Sequence, residues 1–267
     1  MDSDAINPLT NVQFHSVSPS QLKSLKARWH TSLLYLLPSP PTSVLTWFSL
    51  NSWLENILNR HTKEEQRHYH TLNHLMEVFA LLDEAMDTGG DNCSNIDAAV
   101  CNLSTFFHDS IYDPLSPSNE EDSADLWLSF CSSPTVGIPS ESPSSPGRLV
   151  FEYVMATKHH SLPTKTPPDP WMGTFVDADL GVLAKVPSAY DNYAGLIRLE
   201  YSHIPRHTYC VKRAEVLTSI LEGRVYETKG GGGDEEGEVR AKGNLRREIE
   251  KLKEGIIPGE RGGGGGD

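Results

Sequence analysis

Apolar residues at helical spacing recur along most of this sequence, and they constrain the fold more than any other feature. Leu22, Leu25, Trp29, Leu33 and Leu36 fall on one face of a helix. Similar patterns indicate helices over 47–58, 74–86, 97–107, 119–130, 149–160, 178–184, 188–201, 209–221 and 239–252. No segment alternates apolar and polar residues as a half-buried strand does. The sequence therefore predicts an all-α helical bundle with loop insertions.

The helical pattern predicts one domain over 21–252. Its last helix is expected to close the domain, with Arg247 and Glu248 facing solvent. The remaining segments are too polar, or too rich in Gly, Ser and Pro, to pack. They are a lead-in at 1–20, surface loops at 132–147 and 163–170, a Gly-rich acidic insertion at 230–238, and a disordered tail at 253–267.

The charge balance excludes one class of partner. The chain has 23 Lys and Arg against 36 Asp and Glu, a formal net charge of −13, without a dense basic run. An acidic protein repels a polyanion, so we expect no binding to nucleic-acid polymers. A small phosphorylated substrate remains compatible, because a bound dication and a few arginines can form a local positive site.

Cysteine spacing and hydropathy bear on the compartment. The widely spaced cysteines lack a C-x-x-C pair and the start of the chain is polar, which favours free thiols in a cytoplasmic or nucleo-cytoplasmic protein. The most apolar stretch, Leu33 to Leu50, contains three prolines, so no membrane span is predicted. The oligomeric state is not predicted by these features.

Histidines and aspartates occur at intervals that predict a shared site. They are His70 and His74 one helical turn apart, the adjacent pair His108-Asp109 at the end of an apolar helix, and the pair Asp177 and Asp179 after an aromatic-flanked turn. Imidazole and carboxylate together suit a divalent transition metal with open positions for water and substrate oxygens. Taken singly, each residue is also compatible with a helix cap or a core position.

The order His74, His108-Asp109, Asp179 resembles the HD-domain superfamily of helical, metal-dependent phosphohydrolases. The stretches 67–74, 107–114, 119–124, 177–180 and 198–201 resemble the group of predicted metal-dependent HD phosphohydrolases. The resemblance covers roughly 22–252. It implies an HD-domain-like bundle that hydrolyses phosphate esters with a metal-activated water.

The resemblance also assigns roles. Cyclic-nucleotide phosphodiesterases, which share the HD core, have a similar Tyr-His-Asn-x-x-His segment in which the first His donates a proton and the second binds metal. The resemblance implies that His70 donates a proton. It also implies that the metal ligands are His74, His108, Asp109 and Asp179, with Asp109 also orienting the water. Thr71 stands where those enzymes have Asn, and their substrate is not carried over. Alternatively, His70 only positions a ligand.

Further residues are candidates for phosphate binding or a second metal: Lys158, His159, His160, Arg67, Arg198 and Arg213. Exposed histidines and solvated salt bridges are the structural alternatives for this set.

The sequence therefore predicts a divalent-metal-dependent phosphohydrolase acting on a small phosphorylated substrate, such as a phosphomonoester, a nucleotide or a phosphodiester. The ligands are compatible with Mn, Fe, Co, Ni, Zn or Mg, although imidazole makes a Mg site less natural. Two alternatives stay open: a non-catalytic metal-binding or interaction protein, and a di-iron oxygenase on the same helical core. The oxygenase needs additional ligands, for which His159 and His160 are the candidates.

Overall fold

Helices account for all regular structure in the part of the chain that the computed structural model describes, which is 18–88, 93–158, 169–228 and 234–260. The α-helices are α1 (Pro19–Leu36), α2 (Val44–Lys63), α3 (Leu72–Thr88), α4 (Asn95–Phe107), α5 (Asn119–Cys131), α6 (Pro146–Ala156), α7 (Pro170–Asp179), α8 (Pro187–Glu200), α9 (Arg206–Leu221) and α10 (Glu235–Lys253). A short 3₁₀ helix, Leu180–Ala184, follows α7. The predicted all-α class is confirmed.

Local capping signals set several helix starts. The Ser18 side chain accepts a hydrogen bond from the Gln21 backbone N–H, and the Gln21 side chain accepts one from the Ser18 N–H. Ser94 and Asp97 make the same reciprocal pair at the start of α4. Such caps satisfy backbone donors that the first helical turn leaves open, so these starts follow from the local sequence.

The first core lies among α1 to α7 and is built around aromatic rings. Trp29 is fully buried, with its ring centroid 5.3 Å from Phe106 and 5.4 Å from Phe130. Trp127 is also fully buried, and its indole N–H donates to the Gly147 carbonyl at 2.7 Å. Apolar burial of this extent is the main favourable contribution to folding. It holds α3, α4 and α7, which pack on one another, in fixed positions.

A second core joins the 3₁₀ helix to α8, α9 and α10, with Tyr190, Leu217 and Leu245 at its centre. Tyr69, in the turn before α3, packs against this second core. The segments carrying the candidate ligands therefore lie beside both cores.

The acidic end of the predicted 230–238 insertion is helical, because α10 begins at Glu235. The Asp234 side chain caps it by accepting from the Gly237 N–H at 2.6 Å. Residues 229–233 and 261–267 lie outside the described residues. Glu248 was predicted to face solvent, and this is wrong: it is 1% exposed and pairs with Arg213. Its position between Leu245 and Leu252 on the apolar stripe explains the burial.

A second difference concerns α7. The turn predicted before Asp177 is absent, since Asp177 and Asp179 both lie on this helix. The Asp169 side chain caps the helix and Pro170 occupies its first turn, a combination that favours a helix start. Residues 159–168, which hold most of the predicted second loop, lie outside the described residues.

Two further observations concern the membrane and the thiols. Among the described helices, none combines the length and apolar composition needed to cross a bilayer. The four cysteines are free thiols, as predicted.

Candidate metal centre

Three helix ends bring the predicted ligands together. His74 lies in the first turn of α3, His108 caps the C-terminus of α4 with Asp109 directly after it, and Asp179 is the last residue of α7. A helix end lets adjacent side chains leave the helical stripe, so His108 and Asp109 can point to the same place. Helix packing thus places donors from three parts of the sequence at one point.

The donor separations fit a bound cation. His74 Nε2 lies 3.1 Å from His108 Nε2 and 3.0 Å from Asp179 Oδ1, and His108 Nε2 lies 3.4 Å from Asp179 Oδ1. Two donors bound at about 2.1 Å to one ion are separated by about 3.0 Å at a right angle and about 3.4 Å at a tetrahedral angle. These three side chains can therefore hold a single divalent metal ion.

Asp109, the fourth predicted ligand, lies beside the two histidines. Its Oδ2 lies 3.1 Å from His108 Nε2 and 3.6 Å from His74 Nε2. The imidazoles are almost fully buried, whereas the Asp109 and Asp179 side chains are 17% and 10% exposed. The centre is therefore accessible from the carboxylate side, where water or a substrate oxygen can approach.

The tautomer of His108 suits ligation. Its Nδ1 lies 3.0 Å from the Thr105 carbonyl oxygen, which can only accept a hydrogen bond. The proton of a neutral imidazole is therefore held on Nδ1, and the lone pair of Nε2 points at the other donors. A carbonyl in this position commonly orients metal-binding histidines.

Electrostatics favour a cation at the same point. Burial alone would lower the pKa of His108, but the Asp109 and Asp179 carboxylates outweigh burial and hold this pKa well above its ordinary value. Burial alone would raise the pKa of Asp109, but the charge of His108 lowers it. The Asp109 and Asp179 carboxylates thus draw positive charge into the cluster, and a divalent ion can supply that charge in place of protons.

A second cluster centres on the buried Glu200 carboxylate. Its Oε2 lies 2.7 Å from His70 Nδ1 and accepts from the Tyr112 hydroxyl at 2.6 Å. Its Oε1 accepts three consecutive backbone N–H groups, those of His68 at 2.8 Å, Tyr69 at 2.7 Å and His70 at 3.0 Å. The carboxylate therefore fixes both the His70 side chain and the turn that carries it.

These contacts set the charge of His70. Burial would raise the pKa of Glu200, but the charge of His70 and hydrogen bonds from His70 and Tyr112 lower it to about 2. Burial would lower the pKa of His70, and Glu200 outweighs burial and raises it. The contact thus favours the charged imidazole, with Nδ1–H donating to Glu200 and a second proton on Nε2. The side chain remains 21% exposed and accessible.

Arg67 supports the centre instead of offering charge to a substrate. Its side chain is 1% exposed, and Nη1 donates to the carbonyls of His70 at 3.2 Å and Asp109 at 2.7 Å. Nη2 donates to the Ser110 carbonyl at 3.2 Å, and Nε donates to Glu64 at 2.8 Å. The guanidinium thus ties the turn before α3 to the turn after α4.

The other candidates are placed differently. Lys158 forms an ion pair with Glu121. Arg198 Nη1 donates to the carbonyls of Tyr201 at 2.6 Å and Ile204 at 3.1 Å, contacts that stabilise the end of α8. The structure thus engages both cations with protein groups, whereas His159 and His160 lie outside the described residues.

Asp177 does not join the cluster. Its carboxylate accepts the backbone N–H groups of Glu227 and Thr228, each at 2.7 Å. Burial raises its pKa to about 6, against the effect of these hydrogen bonds. The structure thus separates the roles of the two neighbouring acids: Asp179 lies with the histidines and Asp177 anchors the segment after α9.

Sequence reasoning assigned no role to Glu200 or Tyr112, although both lie in motif stretches. The signal was weak, because a charged residue at the end of a helix is usually solvated. Comparisons of the chain with known protein families, curated proteins and solved structures found no match. The fold and the cluster define an all-α protein with a candidate site for a divalent metal.

Proposed function

We propose that this protein is a divalent-metal-dependent phosphohydrolase acting on a small phosphorylated substrate. The observation that carries the proposal is the convergence of His74, His108, Asp109 and Asp179 beside a third histidine, His70, whose Nδ1 lies 2.7 Å from Glu200. The ring centroids of His70 and His74 are 5.8 Å apart. A proton donor whose ring contacts the ring of a metal ligand is well placed to assist hydrolysis of an ester bond.

The four ligands would hold the ion at the bottom of the site. A divalent ion bound there would lower the pKa of a coordinated water toward neutrality and polarise a phosphoryl oxygen. The partly exposed Asp109 carboxylate can accept a hydrogen bond from an attacking water and orient it. The buried histidines exclude bulk water from the opposite side of the donors.

His70 would protonate the leaving oxygen. The Glu200 carboxylate holds Nδ1, so the proton available for transfer is the one on Nε2. Tyr112 packs against the His70 ring, with centroids 4.4 Å apart, and fixes its plane. Restricting the ring in this way reduces the entropy lost when donor and ester are aligned.

The alternatives have less support. A metal-binding protein without catalysis has no need of a histidine that is oriented by a buried carboxylate and partly exposed beside the ligands. A di-iron oxygenase requires a second set of donors. Within the described ranges, one group of three or more His, Cys, Asp or Glu side chains converges closely enough for a metal, namely His74, His108 and Asp179. A second iron would depend on His159 and His160.

The test begins with elemental analysis of the purified protein, followed by loading with Mn, Fe, Co, Ni, Zn or Mg. Phosphate release from phosphomonoesters, nucleotides and phosphodiesters is then measured with each ion. We expect about one ion per chain and hydrolysis that His108→Ala abolishes together with metal binding. His207→Ala, at an exposed position, is the matched control. Full metal retention in His108→Ala would refute the ligand set, and oxygen consumption by a two-iron form would favour the oxygenase.

A further inference from the structure

Two tyrosine rings form a wall beside the candidate metal centre. The Tyr69 ring lies 4.9 Å from the His74 ring and 5.0 Å from the His70 ring, measured between centroids. The Tyr193 ring, from α8, lies 4.6 Å from the Tyr69 ring at an interplanar angle of 73°. Both tyrosines are half-buried and so keep part of their surface accessible.

Charged groups hold Tyr193 in place. Arg213 Nη2 donates to the Tyr193 hydroxyl at 3.2 Å, and its guanidinium carbon lies 5.5 Å from the ring centroid. Arg213 is fixed in turn by Glu248, whose Oε1 accepts from Nε at 3.0 Å and whose Oε2 accepts from Tyr190. The wall is therefore preorganised, and little side-chain entropy is lost when a ligand packs on it.

The Arg213–Glu248 ion pair leaves the region behind the wall without a net charge. The positive charge of Arg213 is balanced by Glu248, whose side chain is 1% exposed. Arg213 therefore does not provide a net positive site for a second phosphate or a carboxylate. Beside the candidate metal centre, the wall thus offers aromatic surface without a net charge, which suits an uncharged ring.

We propose that Tyr69 and Tyr193 bind the organic group of the substrate, and that this group is an uncharged planar ring. The inference rests on the proposed phosphohydrolase function and names its substrate class: phosphate esters of alcohols that carry an aromatic or heteroaromatic ring. The Tyr69 ring lies 4.9 Å from the ring of His74, a candidate ligand, so the ring of an ester bound at the centre can contact the wall. Aromatic pairs make favourable contacts at centroid separations of about 4.5–7 Å.

Two matched esters test the ring preference. Benzyl phosphate and cyclohexylmethyl phosphate are both esters of primary alcohols of similar size, and they differ in the planarity of the ring. We expect kcat/KM to favour benzyl phosphate by about 3- to 10-fold, the range for one added aromatic contact. Tyr193→Leu and Tyr69→Leu should bring the ratio toward one, whereas Tyr193→Phe should keep it. Tyr35→Leu, on the exposed side of α1, should leave the ratio unchanged.

Binding separates this inference from the proposed function. Calorimetry with benzylphosphonate and cyclohexylmethylphosphonate, which are not hydrolysed, should show the same preference in the metal-loaded protein. If the protein binds benzylphosphonate preferentially but hydrolyses no ester, the proposed function is refuted and the ring-binding role of the wall is retained. If the benzyl and cyclohexylmethyl compounds are hydrolysed or bound equally well, the proposed role of the tyrosine wall is wrong, whereas the proposed function stands. The preference of the wild-type protein for the benzyl ester tests the inference even when Tyr193→Leu does not fold. If 4-carboxybenzylphosphonate binds more tightly than benzylphosphonate, the inference that the ring is uncharged is wrong.

Discussion

The buried carboxylate of Glu200 lies 2.7 Å from Nδ1 of His70, a residue 130 positions earlier in the chain. This contact joins the end of α8 to the turn before α3. Because the contact uses Nδ1, it leaves Nε2 of His70 for the proposed proton transfer beside the four candidate ligands. Its effect on the charge of His70 makes the proposed role testable through pH.

The Glu200–His70 pair should set the alkaline limit of activity. Glu200 raises the pKa of His70 above its ordinary 6.5, so the proton-donating form persists to higher pH. Glu200→Gln removes that charge and should move the alkaline fall in kcat to lower pH, while metal content stays the same. The measurement is kcat against pH at saturating metal. An unchanged profile would mean that His70 is not the titrating donor.

The same pair should contribute to stability in two pH windows. The pKa of Glu200 is about 2 in the fold against an ordinary 4.5, so its contribution is present above pH 4.5 and is lost as pH falls toward 2. The raised pKa of His70 contributes fully below 6.5 and is lost as pH rises through the folded value. Urea unfolding of wild type and Glu200→Gln across this range checks both limbs. The difference in the free energy of unfolding between wild type and Glu200→Gln should be largest at pH values between these two ranges.

Substitution of His70 should affect turnover but not metal content, unlike substitution of a ligand. His70→Ala removes the proposed proton donor, and turnover should fall by roughly 10²–10⁴ while about one metal ion per chain is retained. Parallel elemental analysis and single-turnover kinetics provide the readout. Loss of the metal together with activity would make His70 a ligand instead.

Asp179 and Asp177 provide a matched pair two residues apart on α7. Asp179→Asn should weaken metal binding by at least the roughly 10- to 100-fold that loss of a residue supporting a ligand costs, because it replaces a charged ligand. Asp177→Asn should retain the metal but unfold more readily, since its carboxylate accepts two backbone N–H groups. Metal titration and thermal melting of both variants check the assignment. Equal metal loss in both would place Asp177 in the centre.

Glu248 should be one of the most sensitive acids in the fold. Glu248→Ala leaves the Arg213 charge without its buried partner, and the free energy of unfolding should fall by roughly 3–5 kcal/mol. Glu250→Ala, on the exposed face of the same helix, is the control and should have little effect. Chemical unfolding of the two variants measures the difference. Similar stabilities would show that the ion pair contributes nothing net.

Sequence periodicity predicted the helical class and most helix positions, because apolar stripes and caps act locally. The ligand set followed from residue order and a family resemblance, and the structure brings His74, His108, Asp109 and Asp179 together. Glu200 had no such signal, because its role depends on a turn more than a hundred residues away. Contacts of this kind arise from tertiary packing, which periodicity does not encode.

The buried guanidinium of Arg67 has a consequence for folding order. It donates to carbonyl groups of His70, Asp109 and Ser110, which come from turns about forty residues apart. Desolvating this cation is unfavourable until all of these acceptors are in place. We therefore expect the two turns to assemble in the same cooperative transition as the core, so a partly folded chain offers no complete metal site.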